Sequence, residues 1–490
     1  MKDLVLLVAF LLLNMNFFLS SYAQGPTPKL SAELERMAAD PDLRSASWGV
    51  VVLDAKTGQI IAQHDPHRGL TTASTMKAMT TASALAVLGP DFQFQTLLSF
   101  DGSIEDSVLR GNLYLQGDGD PTLGSDRLRE QDEAKVLLAQ WVKAVREAGI
   151  SRIEGAVIGD DRIFSSQITP AKWPWEDMGN YYGAGASGLN IYENQYRLDF
   201  QSGRSGTLTR VLRTEPSMDD LRFVNEVVAG PAGSGDNAYI YGAPFTYVRY
   251  LRGSIPPNRS SFSIKGSMAD PAMTSARWLH EELVSCGIPI SGSYTTTRVL
   301  WAEDELGHSN RTHIHRHRSA PLSEIVKATN EKSINLYAEA LAKRLAVAKG
   351  KPGSTDAAME YMEKYWQSQG VDTRGMYLRD GSGLSPHNSV SAMQMARMLK
   401  QVYQSSYRGA FVNSLPVAGR SGTLKSMLRG TAAEGRIQAK SGYISGVRCY
   451  VGYLDANGSK PLIFAMLANN YDCGAGEMRR KWERLMLAML

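Results

Sequence analysis

The chain has 490 residues, 43% of them hydrophobic and 21% charged, with a formal net charge of +4. That length can bury a large core and suggests more than one domain. The composition is that of an ordinary globular protein. With no basic block and no arginine/aromatic stripe, nothing in it indicates nucleic-acid binding.

The first element is the apolar run LVLLVAFLLLNMNFFL, preceded by Met1-Lys2 and followed by SSYAQG. A short positive start, an apolar centre and a small-x-Ala step ending at Ala23 read as a secretory signal over 1–23. Cleavage there leaves a mature chain beginning near Gln24 and exported to the periplasm. An uncleaved membrane anchor is the alternative reading. No Cys follows the cleavage point, which argues against a lipid anchor.

LSAELERMAAD (30–40) has helical apolar spacing. SWGVVVLDAKTGQIIAQHD reads as two strands joined by a turn at Asp54–Gly58. From Ser74, STMKAMTTASALAVLGP is an Ala-rich helix stopped by Gly-Pro. Residues 95–196 alternate strand-like runs with a helix, DEAKVLLAQWVKAVREAGI, and 197–262 are strand-like and turn-rich. PAMTSARWLHEELVSCGI is helical, with strands near 290–301. After Pro321 the helical pattern returns in LSEIVKATNEKSINLYAEALAKRLA and STDAAMEYMEKYWQSQG. GRIQAKSGYISGVRCYVGYLDANGSKPLIFAMLAN reads as strand–turn–strand–turn–strand. The closing GEMRRKWERLMLAML places Met478, Trp482, Leu485, Met486 and Met489 on one face, which suits packing on a sheet better than lying on a membrane.

Three cysteines occur, Cys286, Cys449 and Cys473. An odd count permits one disulfide and a leftover thiol, and Cys449 can pair with Cys473. No Cys/His spacing resembles a zinc site. His313, His315 and His317 alternate and would share a strand face, but without a carboxylate partner they read as a solvated strand rather than a metal site. GDGDPTLG lacks the closing Glu of a calcium loop and reads as a tight turn.

The chemistry centres on Ser74 and Lys77. Three apart on a helix, they lie on one face within contact distance. A serine needs an adjacent base to act as a nucleophile, and a desolvated lysine beside other cations can lose its proton and serve. Ser-x-Asn occurs at Ser333-Ile334-Asn335, where the hydroxyl can relay a proton to a leaving amine and the amide can hold a substrate carbonyl. Lys440-Ser441-Gly442 leads the final strand–turn–strand. On an edge strand, Gly442 would let a substrate backbone approach and pair as an added strand, while Lys440 and Ser441 offer a charge and a hydroxyl to a carboxylate. Backbone N–H groups of Ser74 and Tyr443 are candidate oxyanion donors. Lys56-Thr57-Gly58 imitates the third motif but sits in a hairpin turn made of ordinary turn residues. Each piece alone is commonplace; all three in this order on suitable elements are not.

Ser-x-x-Lys, Ser-x-Asn and Lys-Thr-Gly together are the motif set of penicillin-binding proteins and serine β-lactamases. The chain resembles the class C low-molecular-mass penicillin-binding proteins, the D-alanyl-D-alanine carboxypeptidase/endopeptidase family. The resemblance covers nearly the whole mature chain, through ASTMKAMTTASALAVLGPDFQFQT, LYLQGDGDPTLG, WPWEDM, HRSAPLSEIVKATNEKSINLYAEAL, RDGSGLSPHN, PVAGRSGTLKSMLRGT and AKSGYISGVRCYVGYL. It implies an α+β multi-domain fold: a transpeptidase-like domain, an antiparallel sheet flanked by helices, split by a large insertion. The expected division is 24–94 and 312–490 for the catalytic domain, 95–196 and 263–311 for an inserted α/β domain, and 197–262 for an inserted, mainly β domain.

The resemblance implies acyl transfer from D-Ala-D-Ala in peptidoglycan stem peptides through Ser74, with Lys77 as base and β-lactams as mimics, and no metal or organic cofactor. On a D-Ala–diaminopimelate cross-bridge the same chemistry is endopeptidase action. The alternatives are a wall transpeptidase or β-lactamase-like hydrolase, differing in what attacks the acyl-enzyme, and a non-catalytic wall-binding scaffold. Asp160 matches the family's acidic residue facing the amino end of a diaminopimelate side chain. Two departures stand out. Ser441 replaces the usual threonine and keeps its hydroxyl, and Pro386 stands where relatives often carry an arginine, which puts a carboxylate contact in doubt.

Overall fold

A strand that is apolar almost throughout needs cover on both faces of its sheet. Ser47–Asp54 has that cover. The computed structural model, which describes residues 27–128, 133–307 and 310–490, places it in an antiparallel five-stranded sheet. The order is Ile437–Ile444, Val447–Leu454, Leu462–Asn469, Ser47–Asp54, Ile60–His64. Alternation divides its side chains. Val51 and Leu53, with Val451 and Leu467, join a cluster built by the helices Met76–Leu88, Asn335–Ala348 and Ala392–Gln404. Trp48, Val50 and Val52 face the other way, onto Met478, Trp482, Leu485 and Met486 of the helix Ala475–Ala488. The apolar stripe of that closing helix is therefore sheet cover. The segment read as a signal lies outside the described residues. Among the described residues no helix is long and apolar enough to cross a membrane.

The helix Met76–Leu88 is apolar around its circumference, and its first ten residues are buried, as expected of a helix threaded through a core. It packs against Asn335–Ala348 and Leu322–Lys332. The sequence pattern runs through 322–346 without a break, but the chain divides at Ser333, whose φ of 59° is left-handed. Periodicity does not register a single residue that stops one helix and starts the next.

The inserted segment builds a second sheet in the order Tyr294–Thr296, Val157–Asp160, Leu113–Gln116, Gln95–Phe100, Thr312–Arg318. Its first three strands are parallel and the last two antiparallel, with helices Ala134–Glu147 and Pro271–Ser285 contributing Leu137, Trp141, Ala276 and Leu279 to its core. Thr312–Arg318, at the start of the stretch expected to belong with the catalytic domain, pairs here with Gln95–Phe100. The seams expected at 197 and 263 fall inside Gln195–Gln201 and Phe262–Ser267, which pair with each other. One apolar cluster runs from Trp141 through Leu198 to Leu251 and Ile255, so the two inserted pieces share a core. Composition marks where character changes, not which strands bond.

Smaller expectations resolve locally. Lys56 lies in the turn after Ser47–Asp54, its Nζ donating to the Ser459 carbonyl at 2.8 Å. In the GDGDP turn the Asp120 carboxylate accepts from the Thr122 N–H at 2.8 Å. All three cysteines are free thiols.

Candidate active site

Ser74 sits in a single 3₁₀ turn, Ala73–Thr75, that feeds the helix Met76–Leu88. Ala73 has φ of +42°, a conformation non-glycine residues seldom hold and one concentrated at functional sites. It sets Ser74 just ahead of the helix, where backbone N–H groups lack intrahelical acceptors. One turn on, Lys77 is fully buried. Its Nζ donates to Ser74 Oγ at 3.0 Å, to Asn335 Oδ1 at 2.6 Å and to the Ser382 carbonyl at 2.7 Å. Burial brings the Lys77 ammonium down to about 7, opposed by the charges of Asp380 and Glu339. The neutral amine would keep two donors for Asn335 and Ser382 and aim its lone pair at the Ser74 hydroxyl.

The break at Ser333 turns its hydroxyl out of the helical run. Lys440, buried on the strand Ile437–Ile444, donates to Ser333 Oγ at 3.0 Å. Burial, and then the charge of Lys77, holds the Lys440 ammonium well below the ordinary lysine range. Two ammonium groups in one dry site disfavour each other's protons. The Asn335 amide, besides accepting from Lys77, donates to the Tyr182 carbonyl at 2.8 Å. That bond ties the cluster to the inserted segment.

Ile437–Ile444 is the sheet's edge strand. The start of its edge is covered, because Ala439 N–H donates to the Pro416 carbonyl at 3.0 Å and Ala418 N–H to Ile437 at 2.9 Å. By antiparallel alternation the N–H and C=O groups of Ser441 and Tyr443 point outward beyond that cover, the Ser441 carbonyl also accepting from Lys440 Nζ at 2.9 Å. Gly442 serves a neighbour different from the one its sequence context suggests. A Cβ there would lie 2.7 Å from the Thr72 carbonyl and 3.0 Å from the Thr75 nitrogen. The missing side chain makes room for the turn that carries Ser74, not for a ligand. Ser441 Oγ donates to Thr423 Oγ1 at 2.7 Å, so two hydroxyls line the edge.

The structure thus brings Ser74, Lys77, Ser333, Asn335, Lys440, Ser441 and Gly442 into one cluster, with Tyr443 on the same edge. Asp160 is not drawn into it. It ends a strand of the inserted sheet, and its carboxylate accepts from Arg162 at 2.7 Å and Arg311 at 2.6 Å. Two guanidinium groups hold it below the usual carboxylate range despite burial. Pro386 offers only its carbonyl, which accepts from Thr71 Oγ1 at 3.0 Å.

Motif reading missed three groups. Glu339 accepts from the Gly381 N–H at 3.1 Å and the Ser382 N–H at 2.8 Å. Asp380 accepts from Trp173 Nε1, Gly383 N–H, Ser385 N–H and Asn388 Nδ2 at 2.7–2.8 Å. Together they fix the loop whose Ser382 carbonyl meets Lys77. Thr423 is the third. The signal for Glu339 was present in its position four residues after Asn335, on the same helix face.

A family model, described as the D-Ala-D-Ala carboxypeptidase 3 (S13) family, matches residues 30–488. The D-alanyl-D-alanine carboxypeptidase of Actinomadura sp. (strain R39) is 31% identical over 458 residues, spanning 90% of this chain and 81% of that one. The crystal structure of penicillin binding protein 4 (dacB) from Haemophilus influenzae has a TM-score of 0.77 at 22% identity, covering 94% of this chain and 98% of that one. A structure of the same protein complexed with a β-lactam has a TM-score of 0.73 at 20% identity.

Proposed function

The chain belongs to the D-Ala-D-Ala carboxypeptidase 3 (S13) family, and from that premise we propose that Ser74 is the nucleophile of a serine carboxypeptidase acting on peptidoglycan stem peptides. As a member of the family the chain is a serine-type carboxypeptidase, a hydrolase. The observation that carries the residue assignment is the position of Lys77 Nζ, 3.0 Å from Ser74 Oγ in a fully buried setting.

In this reading the substrate pairs with the free edge at Ser441 and Tyr443, its terminal carboxylate meeting the hydroxyls of Ser441 and Thr423. Neutral Lys77 takes the Ser74 proton as Oγ attacks the carbonyl of the D-Ala-D-Ala bond. The N–H groups of Ser74 and Tyr443 stabilise the oxyanion. Ser333, backed by Lys440, hands its proton to the leaving D-Ala amine and is reprotonated at the expense of the proton Lys77 took, so Lys77 is neutral again. Water then attacks the Ser74 ester, giving a proton to Lys77, which passes it to Oγ as the ester bond breaks and the shortened peptide departs. Cleavage of a D-Ala–diaminopimelate bond needs no further residue, only a bulkier leaving amine. A β-lactam would acylate Ser74 by the same route, a reading supported by the β-lactam complex of the similar Haemophilus protein. We assign the enzyme to the periplasm, with 1–23 as its export signal.

Fluorescent penicillin and Ser74→Ala test this. The unsubstituted chain should label and release D-Ala from a pentapeptide, and the variant should do neither. Undiminished labelling of Ser74→Ala would remove the nucleophile from this assignment.

A further inference from the structure

On the four-stranded sheet of the inserted segment, Asn237–Tyr241 pairs with Val248–Ile255 so that Tyr241 lies opposite Tyr250 and Tyr239 opposite Arg252. Period-two alternation sends Ile240 and Leu251 into the core, fully buried, and leaves Tyr239 and Tyr250 on the outer face, 43% and 46% exposed. Trp175, 62% exposed, reaches in from a separate turn and lies 4.8 Å from the Tyr241 ring at 40°. The Arg252 guanidinium sits 5.7 Å from that ring's centre.

The row continues toward the catalytic cluster. Ile240 N–H, between Tyr239 and Tyr241, donates to Asn180 Oδ1 at 3.1 Å, and Asn180 immediately precedes Tyr181 and Tyr182. Tyr181, 51% exposed, packs edge-on against Tyr182 at 5.3 Å. The Tyr182 carbonyl accepts from Asn335, and Tyr181, Tyr182, Ser333 and Asn335 line one cleft of about 470 Å³.

Folding does not call for Trp175, Tyr239 and Tyr250 to face water, while Tyr241 is half-buried beside Trp175 and props it in the row. Each can bury ~150–250 Å² of surface when covered, and Tyr and Trp lose little side-chain freedom on contact. The row has flat apolar faces with hydroxyl and guanidinium groups at its margins. A pyranose matches it, with apolar C–H faces and polar edges. A peptide strand would instead seek a backbone edge, and the edge beside Ser74 already offers one.

We propose that Trp175, Tyr239, Tyr241 and Tyr250 form a saccharide platform that holds the N-acetylhexosamine strand of the wall while an attached stem peptide enters the Ser74 cleft. The stem-peptide half rests on the function proposed above; the glycan-binding half stands independently.

Calorimetric titration of the full chain with peptide-free glycan strands, made by amidase digestion of sacculi, should show saturable binding that Ser74→Ala retains. Trp175→Ala, and Tyr239→Ala with Tyr241→Ala, should weaken it by about tenfold or more. Tyr239→Phe with Tyr241→Phe should restore most of it, because the rings remain. For the alanine variants the ratio of D-Ala release from sacculi to release from free pentapeptide should fall about tenfold. No binding by the unsubstituted chain overturns the proposal, as does an unchanged ratio. Equal losses on both substrates would assign the rings to the peptide path or the fold and overturn it too. A dimer dissolved by Trp175→Ala, with no glycan binding, would give the face to a second copy and overturn it. If Ser74→Ala still released D-Ala while glycan binding persisted, only the catalytic assignment would fail.

Discussion

Lys77 has three acceptors around one nitrogen, Ser74 Oγ, Asn335 Oδ1 and the Ser382 carbonyl, and nothing in the motif spacing foretells the last. Burial lowers its proton affinity to about 7, and only the neutral amine can accept from Ser74. Acylation by a penicillin should therefore climb with pH through a limb near 7 and level off above it, measured by stopped-flow labelling. A rate that is flat across about pH 5 to 9 would separate Lys77 from the proton transfer. Gly442 sets the second residue-scale expectation. Both atoms that its added Cβ would strike are backbone, so no side chain can swing aside. Gly442→Ala should cost about 1–3 kcal/mol of stability by overpacking. It should slow penicillin labelling by about a hundredfold, since small misplacements of a nucleophile are that costly. Thermal melts and labelling rates check the two effects separately.

The helix Asn335–Ala348 carries a polar stripe at Asn335, Glu339 and Lys343, the last two buried, each four residues after the last. Lys343 Nζ donates to the carbonyls of Gln167 and Ala186, both at 2.9 Å, and Glu339 holds the 381–382 backbone. Burial, then the charge of Asp380, pushes the Glu339 carboxyl up to about 8, while burial brings the Lys343 ammonium down to about 8. One helix thus supplies the amide for Lys77 and anchors the loop that supplies its third acceptor. Glu339→Gln keeps the shape but replaces one acceptor oxygen with a donor, leaving a loop N–H without its partner. That should destabilise the fold by about 1–3 kcal/mol. With its carboxyl up at about 8, Glu339 is mostly protonated where Lys77 titrates, so Glu339→Gln should leave the acid limb of acylation near 7. A limb that moves to lower pH would show that Glu339 carries its charge beside Lys77 there.

At the scale of the molecule, the segment around Glu193 is fastened to the helix Asn335–Ala348 beside the Ser74 cluster. The Glu193 carboxylate, nearly buried, accepts from Arg127 at 2.6 and 2.7 Å, from Ser125 Oγ at 2.9 Å and from the Tyr337 hydroxyl at 2.7 Å. Tyr337 stands two residues after Asn335, and Asn335 itself donates to Tyr182. Residues 192–194 hold φ of 52°, 54° and 51° in succession, a strained bend maintained where the segment meets the helix. Glu193→Ala leaves Arg127 and Tyr337 without their common acceptor. Breaking a buried pair from one side should cost about 3 kcal/mol, read as a lowered midpoint in urea. An unchanged midpoint would show that the contact contributes nothing to holding the segment to the helix.

Much of this architecture is local and was legible in the residues. Ser74 with Lys77 follows from helix spacing, and Ser333, Asn335 and Lys440 stand out as the motifs that follow that pair in order along the chain. The apolar stripe from Met478 to Met489 announced sheet cover. Lys56 was recognisable as a turn residue because its neighbours are turn formers. What composition and periodicity could not reach depends on contacts between residues far apart in the chain. Nothing local shows that Thr312–Arg318 bonds to Gln95–Phe100, that Arg311 and Arg162 occupy Asp160, or that Gly442 is small for the sake of Thr72. Nor does it show that Glu339 and Asp380 converge on the loop facing Lys77. Side-chain periodicity records which face of an element is buried. Only tertiary packing decides what lies against that face, and with it the charges that set the acidity of the site.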